Sequence, residues 1–126
     1  MRKDIERKIV NGFVLERRRE RAMFELFSPR MREHFLRNIE SFLNPAYIHQ
    51  VKACDIEHVY PILKSRGAPD YCYILNLNEE LDGRIMPLKL VMTEDGYQGT
   101  ALVSCIHGKL AYMLGEYYEH FLVTSN

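Results

Sequence analysis

Residues Thr100–Leu114 read TALVSCIHGKLAYML, two apolar runs separated by His107-Gly108. Runs rich in β-branched and aromatic residues on either side of a two-residue link ending in glycine predict a tight hairpin. A third run, HFLVT at His120–Thr124, follows across GEYYE, which predicts a looser turn. Upstream, YCYILNL at Tyr71–Leu77 has the same strand character. Strands joined by links this short pair antiparallel, because a parallel return needs a crossover of a dozen residues or more. Between the first two strands, MPLKLVMTEDG opens on Pro87 and closes on Gly96, which predicts a short inserted helix over 87–95.

Working towards the N-terminus, the pattern changes to helical. In SPRMREHFLRNIESFLNP, Ser28 can cap and Pro29 suits a first helical position. Met31, Phe35, Ile39 and Phe42 recur at near-helical spacing before Asn44-Pro45 stops the run. Ile5, Ile9 and Phe13 keep a spacing of four, with Asn11-Gly12 as a potential break. Asp55 reads as the N-cap of a helix ending near Gly67, with Pro61 as an obstacle within it; AYIHQVKA, Ala46–Ala53, fits either a short strand or an extended connection. The expected fold is therefore α+β: N-terminal helices over 1–44 packed on a mainly antiparallel sheet of about four strands within 71–126, with helix 29–43 covering one sheet face. At 126 residues the chain suits one domain spanning 1–126.

Formal charge is zero, but its distribution is uneven. Residues 1–44 hold eleven Lys/Arg against seven Asp/Glu, an excess of four positive charges, and the remainder carries the opposite excess. In the basic half, arginines and glutamates interleave, a pattern of solvated helix faces that argues against a nucleic-acid track. No stretch reaches the ~18 apolar residues of a membrane span. The N-terminus MRKDIERKIVNG lacks the apolar core of a signal peptide, so a cytoplasmic protein is expected. Cys54, Cys72 and Cys105 are odd in number and lack a CxxC, so reduced thiols are expected, with neither a disulfide framework nor a zinc knuckle.

The densest chemical cluster is NLNEELDG, Asn76–Gly83. Its carboxylates lack the alternate-position frame of a calcium loop, and its amides and Asp82-Gly83 are turn formers. It reads as an exposed acidic recognition loop, in which Glu79, Glu80 and Asp82 would steer a basic partner. Glu116, Tyr117 and Tyr118 form a second candidate surface, since tyrosine supplies rigid contact area with a polar tip. Cys105 and His107, two apart in a strand, could share a face as nucleophile and base, but nothing supplies a third group or an oxyanion hole. Cys54 and His58 are only two ligands, too few for zinc. There is no GxGxxG, P-loop or GxSxG.

These observations favour a non-catalytic domain that binds another protein through an acidic, tyrosine-rich surface; an immunity or antitoxin-like protein fits this description. No catalytic residue, cofactor or metal is assigned, and a homo-oligomer is compatible with the pattern. The alternative is a small cytosolic enzyme using the Cys/His pair or a metal-dependent acidic loop.

Overall fold

The computed structural model describes residues 1–125. Its sheet comprises β1 (Ile48–Val51), β2 (Tyr71–Asn76), β3 (Ile85–Pro87), β4 (Thr100–Ile106), β5 (Leu110–Leu114) and β6 (His120–Thr124). The order is β1-β6-β5-β4-β2-β3, with every neighbouring pair antiparallel. The helices are α1 (Lys3–Phe13), α2 (Arg19–Leu26), α3 (Arg32–Arg37), α4 (Ile39–Phe42), α5 (Ile56–Ser65), α6 (Leu88–Val91) and α7 (Glu94–Tyr97).

The α+β class and the N-terminal helices match the sequence-based expectation, but the sheet has six strands rather than about four. The two additional strands, β1 and β3, are its two edges. An edge strand is paired on one side only and is often very short, so four and three residues suffice here without a readable alternation. Pro87 can end β3 because an edge strand tolerates the missing N–H.

Both faces of the sheet are covered, not one. Tyr73, Leu75, Leu102, Ala111, Met113 and Val123 face a core built with α1–α4, in which Ile9, Phe13, Leu26, Phe35 and Phe42 are buried. Cys72, Ile74, Val103, Tyr112 and Leu122 point the other way, towards Val59 and Leu63 of α5 and Leu88 and Val91 of α6. Apolar residues on both alternating sets of YCYILNL follow from this double cover. Phe35, Ile39 and Phe42 are buried as their spacing predicts.

The expected helix 29–43 is interrupted. Residues 28–31 form a turn, and Asn38 divides α3 from α4. The Asn38 side-chain amide donates to the His34 carbonyl at 2.8 Å, giving the backbone an alternative to continuing the ladder. Helix 87–95 is likewise divided, since Thr93 accepts from Gly96 N at 3.0 Å as a new N-cap while donating to Leu90 O. By contrast, α5 runs through the exposed Pro61, with Asp55 capping His58 N at 3.0 Å as its sequence position implies. α1 also continues through Gly12, which permits close backbone contact: a Cβ there would lie 2.1 Å from the Gly108 carbonyl oxygen. Among the described residues no helix is long and apolar enough to cross a membrane.

Candidate functional site

Strand register decides which loops meet. Val51 and Leu114 both pair with His120, and Asn76 pairs with Thr100 beside the end of β5. The segments 52–55, 77–83, 94–99 and 115–119 therefore emerge at one end of the sheet. They carry Asp55, Glu79, Glu80, Asp82, Glu94, Asp95, Glu116 and Glu119 against one cation, Lys52. The two candidate surfaces, Glu79/Glu80/Asp82 and Glu116/Tyr117/Tyr118, are thus brought to the same end although 34 positions separate Asp82 from Glu116 along the chain.

The acidic loop is held from below. Asn76, buried, accepts from Asn78 N at 2.8 Å and donates to Thr100 Oγ1 and to the Gln98 carbonyl, tying the loop to the start of β4. Asn78 in turn accepts from Glu80 N at 3.0 Å. Glu79 and Glu80 project outward and are exposed.

Asp82 does not share their exposure: its side chain is 5% exposed and accepts from Arg32 Nε at 2.6 Å and from Asn76 N at 3.0 Å. Arg32 also grips Glu6 of α1 through Nη1–Oε1 at 2.8 Å and Nη2–Oε2 at 2.6 Å. The Tyr73 hydroxyl completes the cluster by donating to Glu6 at 2.5 Å. Burial opposes the charge on Arg32, yet the hydrogen bonds it donates to Glu6 and Asp82, with the attraction of both carboxylates, outweigh it and raise the guanidinium pKa. Burial, followed by the Glu6 hydrogen bond, raises the Tyr73 phenol pKa. Arg32, Glu6 and Asp82 form an internal clamp between α1, α3 and the loop. Of the three loop carboxylates read as exposed, only Glu79 and Glu80 are free to meet a partner.

A signal for the clamp did exist in the sequence. Glu6 shares the helical stripe of Ile9, Val10 and Phe13, and Arg32 shares that of Phe35, Leu36 and Ile39. A charge on an apolar stripe needs a buried counter-charge. What the stripe cannot show is that the partner of Arg32 lies 50 positions away.

At the β5–β6 turn, Gly115 N donates to Glu119 O at 2.8 Å, and Tyr117 N donates to the Glu119 carboxylate at 2.7 Å. These bonds hold Tyr118 at φ 65°, a left-handed conformation unfavourable to a bulky side chain. Tyr117 and Tyr118 are 78% and 81% exposed. Below them, Tyr97 accepts from Leu114 N at 2.8 Å, and Tyr112 lies 2.7 Å from His120 Nδ1. Burial lowers the His120 pKa, partly countered by Asp55, and burial raises that of Tyr112. Between this turn, α5 and α7 lies a cavity of about 260 Å³, its walls formed by Ile56, Tyr97, Leu114 and Tyr118, with Asp55 and Glu94 at its margin.

The Cys105–His107 pair is not assembled. A bulge between Ser104 and Ile106 reverses the alternation. Cys105 enters the α5–α6 core, and burial, with Cys72 adding to it, pushes its thiol up to about 12. His107 instead lies 2.7 Å from Ser104 Oγ, edge-on to Tyr73. A hollow of about 890 Å³ at the opposite end of the sheet is lined by both Cys105 and His107, together with Lys8, Lys109 and the Gly12–Gly108 contact. Cys54 is exposed and His58 pairs with Asp55 at 2.6 Å. Among the described residues no three of His, Cys, Asp and Glu converge as metal ligands.

Comparison with protein families, with characterised proteins and with solved structures gave no match.

Proposed function

We propose that this protein is a non-catalytic binding domain that presents the acidic, tyrosine-rich end of its sheet to another protein. The observation that carries the reading is the pair Tyr117–Tyr118, more than three-quarters exposed and held in a left-handed turn among carboxylates. Exposed aromatics at a rigid turn lose little entropy on contact and favour interfaces. Glu79, Glu80 and Glu116 supply a field that speeds encounter with a basic partner. Blocking a basic enzyme, in the manner of an immunity protein, is an activity that such a surface can perform. Three free cysteines suit a reducing compartment such as the cytoplasm.

The test is cross-linked capture from source cells by the native chain and by a Glu116→Lys, Tyr117→Ser, Tyr118→Asn variant, with Asn chosen because it tolerates the left-handed conformation. A partner that is retained by the native chain, lost by the folded variant and reconstituted with purified components supports the reading. A partner held equally by both overturns it.

A further inference from the structure

We infer that the cavity beneath Tyr118 receives one cationic side chain, a lysine or arginine, from the bound partner. This rests on the binding-domain reading and names the chemistry that the surface selects.

Size is the first constraint. A cavity of about 260 Å³ falls below the ~300–1,000 Å³ of small-molecule sites and suits a single side chain. Its chemistry is the second. Ile56 and Leu114 offer an apolar sleeve for a methylene stem, and the aromatic side chains of Tyr97 and Tyr118 line the same space, a residue type that attracts cations. Asp55 and Glu94 stand at the margin, and no lysine or arginine lines the cavity among the described residues. Glu94 makes no ion pair among them, and burial disfavours the charged form of His120 at the cavity wall. An apolar occupant would strip water from the Glu94 carboxylate without compensation, and an acidic one would meet like charge from Glu94 and Asp55. A long side chain with a cationic head satisfies the sleeve and the margin together.

Cys54 borders the same cavity and is exposed, whereas Cys72 and Cys105 are buried with thiols pushed up to about 12, so alkylation by neutral N-ethylmaleimide reports on this site. The blocked peptide acetyl-Gly-Arg-Gly-amide should slow Cys54 modification saturably, and its citrulline counterpart, isosteric but uncharged, should protect at least about threefold less well. Glu94→Gln should weaken protection by about threefold, while Glu20→Gln, which removes an exposed carboxylate from α2 on the other face of the sheet, should leave it unchanged. Equal protection by arginine and citrulline, equal effects of the two substitutions, or no protection overturns the inference. Partner capture that depends on Tyr117 and Tyr118 without arginine protection defeats the cavity assignment alone. Arginine protection without such capture defeats the binding-domain reading.

Discussion

The two ends of the sheet solve opposite problems. At the β4–β5 turn the chain is sealed by backbone: a Cβ on Gly12 would lie 2.1 Å from Gly108 O, one on Gly108 would lie 2.4 Å from Lys8 O, and Ser125 bonds to the Gly108 carbonyl. At the other end four loops meet, and side chains join the Leu77 N–Gly99 O backbone bond in setting their spacing. Arg32 fastens the acidic loop to α1 and α3, while Glu79, Glu80, Tyr117 and Tyr118 remain outside. A clamp made by one buried cation frees its neighbours on the surface to be acidic.

The largest expected effect breaks the clamp. Arg32→Ala leaves Glu6 and Asp82 buried without a cation and should cost about 3–5 kcal/mol, read from the urea midpoint. Arg32→Lys should recover only part of it, because an ammonium cannot reproduce the guanidinium fork. A native midpoint in Arg32→Ala would show that the open end is held by something else.

The sealed end should respond less. Gly12→Ala must separate α1 from the β4–β5 turn and should cost about 1–3 kcal/mol. Amide exchange should accelerate around Gly108 and stay native around Glu80; acceleration at both would mean that the two ends unfold as one unit.

A smaller effect follows from acid. The Asp55 carboxyl is held below its ordinary range first by the His58 side chain and then by the His58 backbone N–H. Its folded pKa is therefore lower than its unfolded one, and its contribution is present above the unfolded value of about 4 and lost as pH falls through the folded value. Asp55→Asn keeps a competent cap, so between about pH 4 and pH 2 its stability should fall less than that of the native chain. Parallel stability curves in that window would remove Asp55 from the acid response.

The smallest effect separates the loop carboxylates. Glu79→Lys with Glu80→Lys should change stability by no more than about 0.5 kcal/mol, since both side chains are exposed. With the captured partner, the same pair should slow association more than it speeds dissociation, and should reduce the salt dependence. Adding Asp82→Lys should destabilise the fold itself, by setting a third charge against Arg32.

Local chemistry was enough to determine the sheet centre, the helical N-terminus and the cap at Asp55, because apolar periodicity and capping act between residues a few positions apart. Phe35, Ile39 and Phe42 could be placed inside on spacing alone, whereas for Tyr117 and Tyr118 alternation required only that one of the two leave the core, and the turn exposes both. Of the edge strands, β1 lies in the 46–53 stretch that fitted either a short strand or an extended connection, and β3 was not legible; at four and three residues, pairing with a neighbour rather than periodicity makes the strand. A bulge of one residue sent His107 away from Cys105, and no local pattern marked it. Asp82 looked exposed because its own neighbourhood has no cation; only the folded chain brings Arg32 across 50 positions to bury it. Strand register, a property of the whole sheet, likewise decided that the acidic loop and the tyrosine turn share one end.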